Sequence, residues 1–169
     1  SCCVTQDTIY VAGSDPPAVQ AISRYALQTR WIARDGTEEP VQLARADGAV
    51  YLLDGASYDG AASVERVCAG GRLEPVVAGL MSPHDLASGP EGRLWVLDTL
   101  VGADPDDDGE PVVRRFDAAD LSPGEPVPAT DHVHVVPEAF RTAADDVPVH
   151  PSCLGVGPKG DLLVGVDAG

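Results

Sequence analysis

The chain has 169 residues, of which 27 are Asp or Glu and 11 are Lys or Arg, so its formal net charge is −16. Such an acidic chain lacks the basic footprint that nucleic-acid binding requires. No apolar run approaches the roughly 20 residues that span a bilayer. The start, Ser1 to Thr5, has neither the basic nor the apolar region of a signal peptide, although a processed chain would have lost both.

Lys159 is the single lysine beside ten arginines, a bias that fits GC-rich coding and a saline or extracellular setting. We expect an extracellular or periplasmic location, with the cytoplasm left open. The four cysteines allow three pairings. Because Cys2 and Cys3 are adjacent and do not easily pair with each other, we expect each to pair with Cys68 or Cys153. Free buried thiols are an equal alternative. No C-x-x-C spacing is present, so a zinc ribbon or a thioredoxin motif is not expected.

A repeat of a polar turn followed by an apolar strand runs through the chain. It occurs at 6–13, 47–54, 91–98 and 159–167, and the equivalent turn residues Asp7, Gly48, Gly92 and Gly160 are 41, 44 and 68 residues apart. The longest of these three spacings, 68 residues, is explained by an insertion that we place at 130–149. The repeat predicts a sheet unit rather than an alternation of strands and helices.

Two further sets of matches support the period. Arg24, Arg66 and Arg115 each lie in an apolar-x-Arg-apolar pattern, and weaker matches begin at Trp31, Pro75 and Pro126. Each unit therefore holds four short strands. The main alternative is a helix over 18–34, where some apolar residues have helical spacing.

The second strand of each unit is apolar at consecutive positions, as in 94–97. A run of this kind needs cover on both faces of its sheet. Units of roughly 40–45 residues with four strands are typical of propeller blades. The fold class predicted is all-β, with blades made of four-stranded antiparallel sheets.

The chain resembles the six-bladed propeller superfamily of NHL-repeat, gluconolactonase/regucalcin-like and strictosidine-synthase-like proteins. The resemblance lies in residues 83–98 and 113–117, and residues 151–160 repeat the first part of the 83–98 motif. The predicted blades are about 1–39, 40–82 and 83–149, with half a blade at 150–169. A closed propeller needs at least about four blades. We therefore expect a partial chain of a larger, six-bladed propeller, or a tail from elsewhere that completes the last blade.

An acidic segment lies between the second and third strands of the third unit. Asp104, Asp106 and Asp108 alternate and are followed by Gly109 and Glu110, as at the start of a calcium loop. The later positions of an EF-hand are occupied by Val112 and Arg115, so that motif is incomplete. The segment predicts a Ca²⁺ site completed from elsewhere, with a solvated acidic loop as the alternative.

His84 and Asp85 lie where the first strand of a blade begins, and His150 lies at the matching place in the next unit. The resemblance puts these positions at the mouth of the central channel, where a histidine would transfer a proton or bind a metal. The alternative is that these histidines lie in loops, are hydrogen-bonded to the backbone and have no chemical role. His132 and His134 would share one face of an extended strand, which is the spacing of two metal ligands.

Asp54, Asp98 and Asp167 recur at the end of the second strand and are predicted to cap turns, and the repeated arginines are predicted to lie between blades. The resemblance implies a Ca²⁺-assisted enzyme acting on a small molecule, of lactonase, lyase or quinone-linked sugar dehydrogenase type. The complete lack of asparagine departs from the gluconolactonase pattern.

The alternative is a non-catalytic propeller module that binds a protein or glycan partner, or a structural part of a larger complex. In either case the expected partners include the remainder of its own propeller.

Overall fold

The structure is a computed structural model that describes residues 1–14, 17–26, 28–33, 40–55, 62–100, 109–135 and 150–167. Its regular elements in this part of the chain are fifteen strands and four short 3₁₀ turns. The strands are β1 (Cys2–Val4), β2 (Thr8–Ser14), β3 (Pro17–Ser23), β4 (Thr29–Ala33), β5 (Pro40–Ala46), β6 (Ala49–Asp54), β7 (Ala62–Val67), β8 (Leu73–Leu80), β9 (Pro83–Ser88), β10 (Arg93–Leu100), β11 (Glu110–Asp117), β12 (Val127–Pro128), β13 (Val133–Val135), β14 (His150–Val156) and β15 (Leu162–Asp167). The predicted all-β class is confirmed.

The strands form four sheets that follow one another along the chain. Sheet I has the order β1-β2-β3-β4, sheet II β5-β6-β7-β8 with β12 beyond β8, sheet III β9-β10-β11-β13, and sheet IV β14-β15. Successive strands within each sheet are antiparallel, and β12 is parallel to β8. Each sheet is therefore an up-and-down meander of the kind that makes a propeller blade.

The first strands of the sheets lie beside one another, since β5 contacts both β1 and β9, and β9 contacts β14. Apolar clusters fill the spaces between sheets I and II, II and III, and III and IV. Leu52 and Leu53 on β6 are both fully buried although they face opposite sides of sheet II. Cover on both faces is what the consecutive apolar positions predicted.

The helix considered for 18–34 does not form, because β3 and β4 occupy that stretch with a turn between them. In the pairing of strands, Arg66 lies opposite Tyr51 and Arg115 opposite Trp95. In sheet I the equivalent position, opposite Tyr10, is occupied by Ala21 and not by an arginine. Arg24 lies three residues further on, in an exposed turn, so its predicted equivalence to the other two arginines is wrong.

The fourth strand along the chain in each of sheets I, II and III (β4, β8 and β13) has a β-bulge at the equivalent position. The extra residues at these bulges are Ile32, Val76 and His134. The first two are buried. Pro126 was predicted to begin the outer strand of the third unit, and this is wrong. Val127 and Pro128 instead pair with Val77 and Ala78 of sheet II. Proline suits such an edge because it has no N–H to leave unpaired.

The 3₁₀ turn Ala129–His132 and strand β13 occupy the first part of the predicted insertion 130–149, and 136–149 lie outside the described residues. Within the ranges given above, the chain has no helix long and apolar enough to cross a membrane.

Candidate functional site

One edge of the sheets gathers the predicted site residues. The register pairs Pro40 with Asp54, Pro83 with Asp98, and His150 with Asp167, so in sheets II, III and IV the last part of the second strand lies beside the start of the first strand. We call this the aspartate edge. Residues 84–85 and His150 lie at it, and Glu110 reaches it at the start of β11, opposite Leu100. Asp104, Asp106 and Asp108 lie outside the described residues.

Asp98 is completely buried at this edge. Its Oδ1 accepts hydrogen bonds from the backbone N–H groups of Met81 (3.1 Å) and Ser82 (2.9 Å), which form the link between sheets II and III. Its Oδ2 accepts a hydrogen bond from Nε of Arg114 at 2.9 Å. The predicted capping role of this aspartate is confirmed.

Arg114 is a residue that the sequence interpretation missed, since the repeat pattern drew attention to the exposed Arg115 beside it. Neighbouring strand residues face opposite sides, and Arg114 is on the buried side. Its Nη1 donates a hydrogen bond to the backbone oxygen of Ala129 at 2.6 Å. The guanidinium therefore connects Asp98 to the segment that carries β12.

Asp85 is also buried, and both of its carboxylate oxygens accept backbone hydrogen bonds. Oδ1 accepts from the N–H of Leu86 at 2.8 Å, and Oδ2 accepts from the N–H of Leu154 on β14 at 2.7 Å. A charged acceptor makes such bonds about twice as strong as neutral ones. Asp85 thus joins sheet III to sheet IV.

His84 is exposed, and its Nε2 lies 3.0 Å from Oγ1 of Thr99 on β10. It is the extra residue of a bulge in β9, because the register passes from Asp85 opposite Leu97 to Pro83 opposite Asp98. The two side chains have different hydrogen-bond partners: Thr99 for His84, and the backbone N–H groups of Leu86 and Leu154 for Asp85. The catalytic roles of His84, Asp85 and His150 stay predictions.

The two other histidines contact separate aromatic rings. His134 lies edge-on to Trp95 with ring centroids 4.8 Å apart, and His132 is tilted against Phe116 at 4.7 Å. His132 belongs to the 3₁₀ turn and not to β13, so the prediction of one shared strand face is wrong. The described part of the chain contains no group of three or more His, Cys, Asp or Glu side chains placed to hold a metal.

Glu65 is a second residue that the sequence did not single out. Its side chain is half-buried, and within the described residues its Oε2 atom has neither a hydrogen-bond partner nor contact with solvent. Burial, and then the charge of Asp54, raise the pKa of Glu65 to about 7. The signal in the sequence was faint: Glu65 directly precedes the repeated Arg66, just as Arg114 directly precedes Arg115.

The side of sheet I that faces away from sheet II is apolar and exposed. Two rows of paired residues cross it, Val4–Ile9–Ile22–Thr29 and Cys2–Val11–Gln20–Trp31. Val4 is 50% exposed and Trp31 is 51% exposed. We call these two rows the outward face of sheet I. Sheet IV likewise exposes Leu163, at 62%.

Comparison with known proteins identifies a structure with a similar fold. No protein-family model matches this sequence, and no curated protein matches it. A chain of the crystal structure of a nidogen/laminin complex matches with a TM-score of 0.62 and 16% sequence identity, over 95% of this chain and 52% of that one. This neighbour is propeller-like, and the likeness shows the fold: the four sheets are propeller blades. The chain spans about half the length of the structure it matches.

Proposed function

We propose that this chain is a non-catalytic propeller module that acts by binding a protein partner through the outward face of sheet I. The observation that carries the proposal is the half-exposed pair Val4 and Trp31 on a face that also presents Ile9, Val11 and Ile22. A contiguous apolar patch on a soluble protein is a mark of an interaction site. Tryptophan in particular contributes strongly to binding energy at such sites.

A protein fits this face better than a small molecule does. Paired strands make a flat surface, whereas small-molecule sites are concave. The net charge of −16 argues against a nucleic acid. The structural neighbour was crystallised in a complex of two proteins, nidogen and laminin. That complex is a property of the neighbour, and it supports the proposal only as an example of what this fold does.

The partner we propose is a further β-sheet blade that presents an aliphatic face, in the remainder of the same propeller or in another chain. The other side of sheet I shows how such a face is covered. Ala12, Val19 and Ile32 pack there against Leu43, Val50 and Leu52 of sheet II. The outward face presents similar side chains in Val4, Ile9, Val11 and Ile22, so the same kind of sheet-on-sheet packing would bury it.

The competing hypothesis of a Ca²⁺-assisted lactonase, lyase or sugar dehydrogenase stays a prediction. The two buried carboxylates of sheet III at the aspartate edge, Asp85 and Asp98, bind backbone N–H groups and Arg114. These bonds give them structural roles. The non-catalytic interpretation therefore accounts for more of the described geometry than the enzyme interpretation does.

The proposal is tested by affinity capture from the native source with three tagged forms of the chain: the natural one, Trp31→Ser and Tyr25→Ser. Tyr25 is 77% exposed in the turn between β3 and β4 and lies outside the outward face, which makes it a matched aromatic control. We expect a blade-containing protein to be retained by the natural chain and by Tyr25→Ser, and to be lost with Trp31→Ser. Retention of the same proteins by all three forms would contradict the proposal.

A further inference from the structure

Sheet IV differs from the other sheets in the number of its strands. Sheets I, II and III each contain at least four strands, whereas sheet IV consists of β14 and β15. In those three sheets the second strand, β2, β6 or β10, lies between the first strand and the third. Within the part of the chain that the structure describes, β15 pairs with β14 alone. Its other side is therefore an open sheet edge that presents backbone N–H and C=O groups.

The apolar residues of β15 that face sheet III are less buried than their equivalents in sheet III. The repeat makes Leu162 and Val164 equivalent to Leu94 and Val96 of β10. Leu94 and Val96 are fully buried, and the third strand β11 lies beside them. Leu162 and Val164 pack against the apolar cluster between sheets III and IV but are only partly buried, and Val166 is 48% exposed. Solvent thus reaches a row of side chains that a third strand flanks in sheet III.

The sequence of this edge does not repel another strand. Natural sheets protect an open edge with lysine, proline or an inward-pointing charge, or with an edge strand that is very short. Sheet II has such an arrangement, because β12 covers the outer side of β8 and ends in Pro128. Strand β15 has six residues, Leu-Leu-Val-Gly-Val-Asp, and the first five are neither charged nor proline. An edge of this kind can pair with an extended segment of another chain.

The third strands of sheets I and III indicate which side chain fits opposite Leu162. At the equivalent place in sheet I, Ile22 lies opposite Ile9. In sheet III, Phe116 lies opposite Leu94 and is buried in the apolar cluster between sheets II and III. An aliphatic or aromatic side chain therefore suits this place beside β15.

The place two residues earlier in the third strand follows a different rule. In sheets II and III it holds a polar residue, Glu65 or Arg114. A buried aspartate, Asp54 or Asp98, lies two residues further along the second strand in each case. Val166 has the place of this aspartate in sheet IV. A charged residue in the incoming strand would find no carboxylate there, so we expect an aliphatic one.

We propose that the open edge of β15 binds an extended segment of a separate protein, which pairs antiparallel to β15 as the third strand of sheet IV. The segment carries an aliphatic residue opposite Val164 and, two positions later, an aromatic or aliphatic residue opposite Leu162. Backbone hydrogen bonds supply the affinity and these alternate side chains supply the specificity. The site lies on sheet IV and is separate from the outward face of sheet I.

The test uses a peptide that copies residues 110–117, the strand β11, with Arg114→Val. A control peptide carries Phe116→Ser in addition. We expect the first peptide to bind the chain, and the control to bind at least about tenfold more weakly because it lacks the buried aromatic side chain. Equal binding of the two peptides, or no binding of either at millimolar concentration, would overturn the proposal.

Hydrogen exchange locates the bound peptide. Amides of β15 that face the open edge should exchange about tenfold more slowly with the peptide, whereas those of β4, the outer edge strand of sheet I, should not change. Trp31→Ser in the chain should leave peptide binding unchanged, so this site is tested separately from the proposed function. Protection of β4 in place of β15 would contradict the proposal.

The chain without peptide tests the other occupants of this edge. We expect sedimentation to show a monomer in which the edge-facing amides of β15 exchange rapidly. Slow exchange of these amides in a monomer would mean that the chain covers its own edge. Slow exchange in a dimer would assign the edge to a second copy. Either result would overturn the proposal of a separate protein.

Discussion

Arg114 and Asp98 form a buried ion pair in which Nε of the arginine lies 2.9 Å from Oδ2 of the aspartate. The same carboxylate accepts two hydrogen bonds from the link between sheets II and III. The same guanidinium donates to Ala129, next to the strand that pairs with the outer edge of sheet II. One pair of side chains thus holds the inner link and the outer segment of two neighbouring blades.

Removal of the guanidinium should destabilise the chain strongly. Arg114→Met keeps an unbranched apolar side chain but leaves the Asp98 charge buried without its counter-charge. We expect a loss of about 3–5 kcal/mol in the free energy of unfolding, measured by urea denaturation. Arg115→Met is the control, because Arg115 is exposed on the next residue and should change stability by less than about 0.5 kcal/mol. Equal stability of the two variants would show that the pair contributes nothing.

Asp85 should matter for the contact between sheets III and IV. Asp85→Ala leaves the N–H groups of Leu86 and Leu154 without their acceptors, at a cost of about 1–3 kcal/mol for each buried group left unpaired. Hydrogen exchange should show faster exchange of the Leu154 amide, whereas Asp120→Ala, at an exposed position, should leave it unchanged. An unchanged Leu154 amide in Asp85→Ala would remove the structural role assigned to this carboxylate.

The sequence predicted the sheets better than it predicted the contacts of individual side chains. Strands such as β6 and β10 were predictable because consecutive apolar residues need cover on both faces. The position of Pro126 to Ala129 was not, because pairing of a short segment with a neighbouring sheet leaves no local pattern. Asp85 shows the same limit. Its residue type suits catalysis and hydrogen bonding equally, and only the position of Leu154 in the folded chain separates them.

Glu65 and Arg114 show why the candidate site was only partly predictable. Each is one residue away from an arginine that repeats in the sequence, and each lies on the opposite side of its strand from that arginine. A one-residue shift in a strand exchanges a buried position for an exposed one. Sequence alignment of the units finds the repeated arginines, while the register of the sheets identifies Arg114, which binds the buried Asp98, and Glu65 at the equivalent place in sheet II.

All four cysteines are free thiols in the described structure, and Cys3 alone among them is buried. Titration with a thiol reagent should give four thiols in the unfolded chain. In the folded chain, Cys2 and Cys153 should react quickly because they are exposed, and Cys3 slowly because burial raises the pKa of its thiol. Fewer than four thiols in the unfolded, unreduced chain would reveal a disulfide and contradict this state.

Calcium binding by the acidic segment stays a prediction that thermal unfolding can test directly. Asp104, Asp106 and Asp108 alternate as calcium ligands do, and Glu110 follows at the start of β11. A ligand that binds only the folded state stabilises it by about 2.7 kcal/mol when present at 100 times its Kd. Millimolar Ca²⁺ should therefore raise the Tm by several degrees.

Two variants identify the source of that increase. Asp106→Asn removes one carboxylate from the segment and should abolish most of the response to Ca²⁺. Asp131→Asn is the matched control, because Asp131 is exposed in the 3₁₀ turn Ala129–His132 and should leave the response intact. Mg²⁺ at the same concentration tests whether ionic strength alone is responsible, since Mg²⁺ demands a smaller and more regular site. A Tm that does not move with Ca²⁺ would leave the segment as a solvated acidic loop.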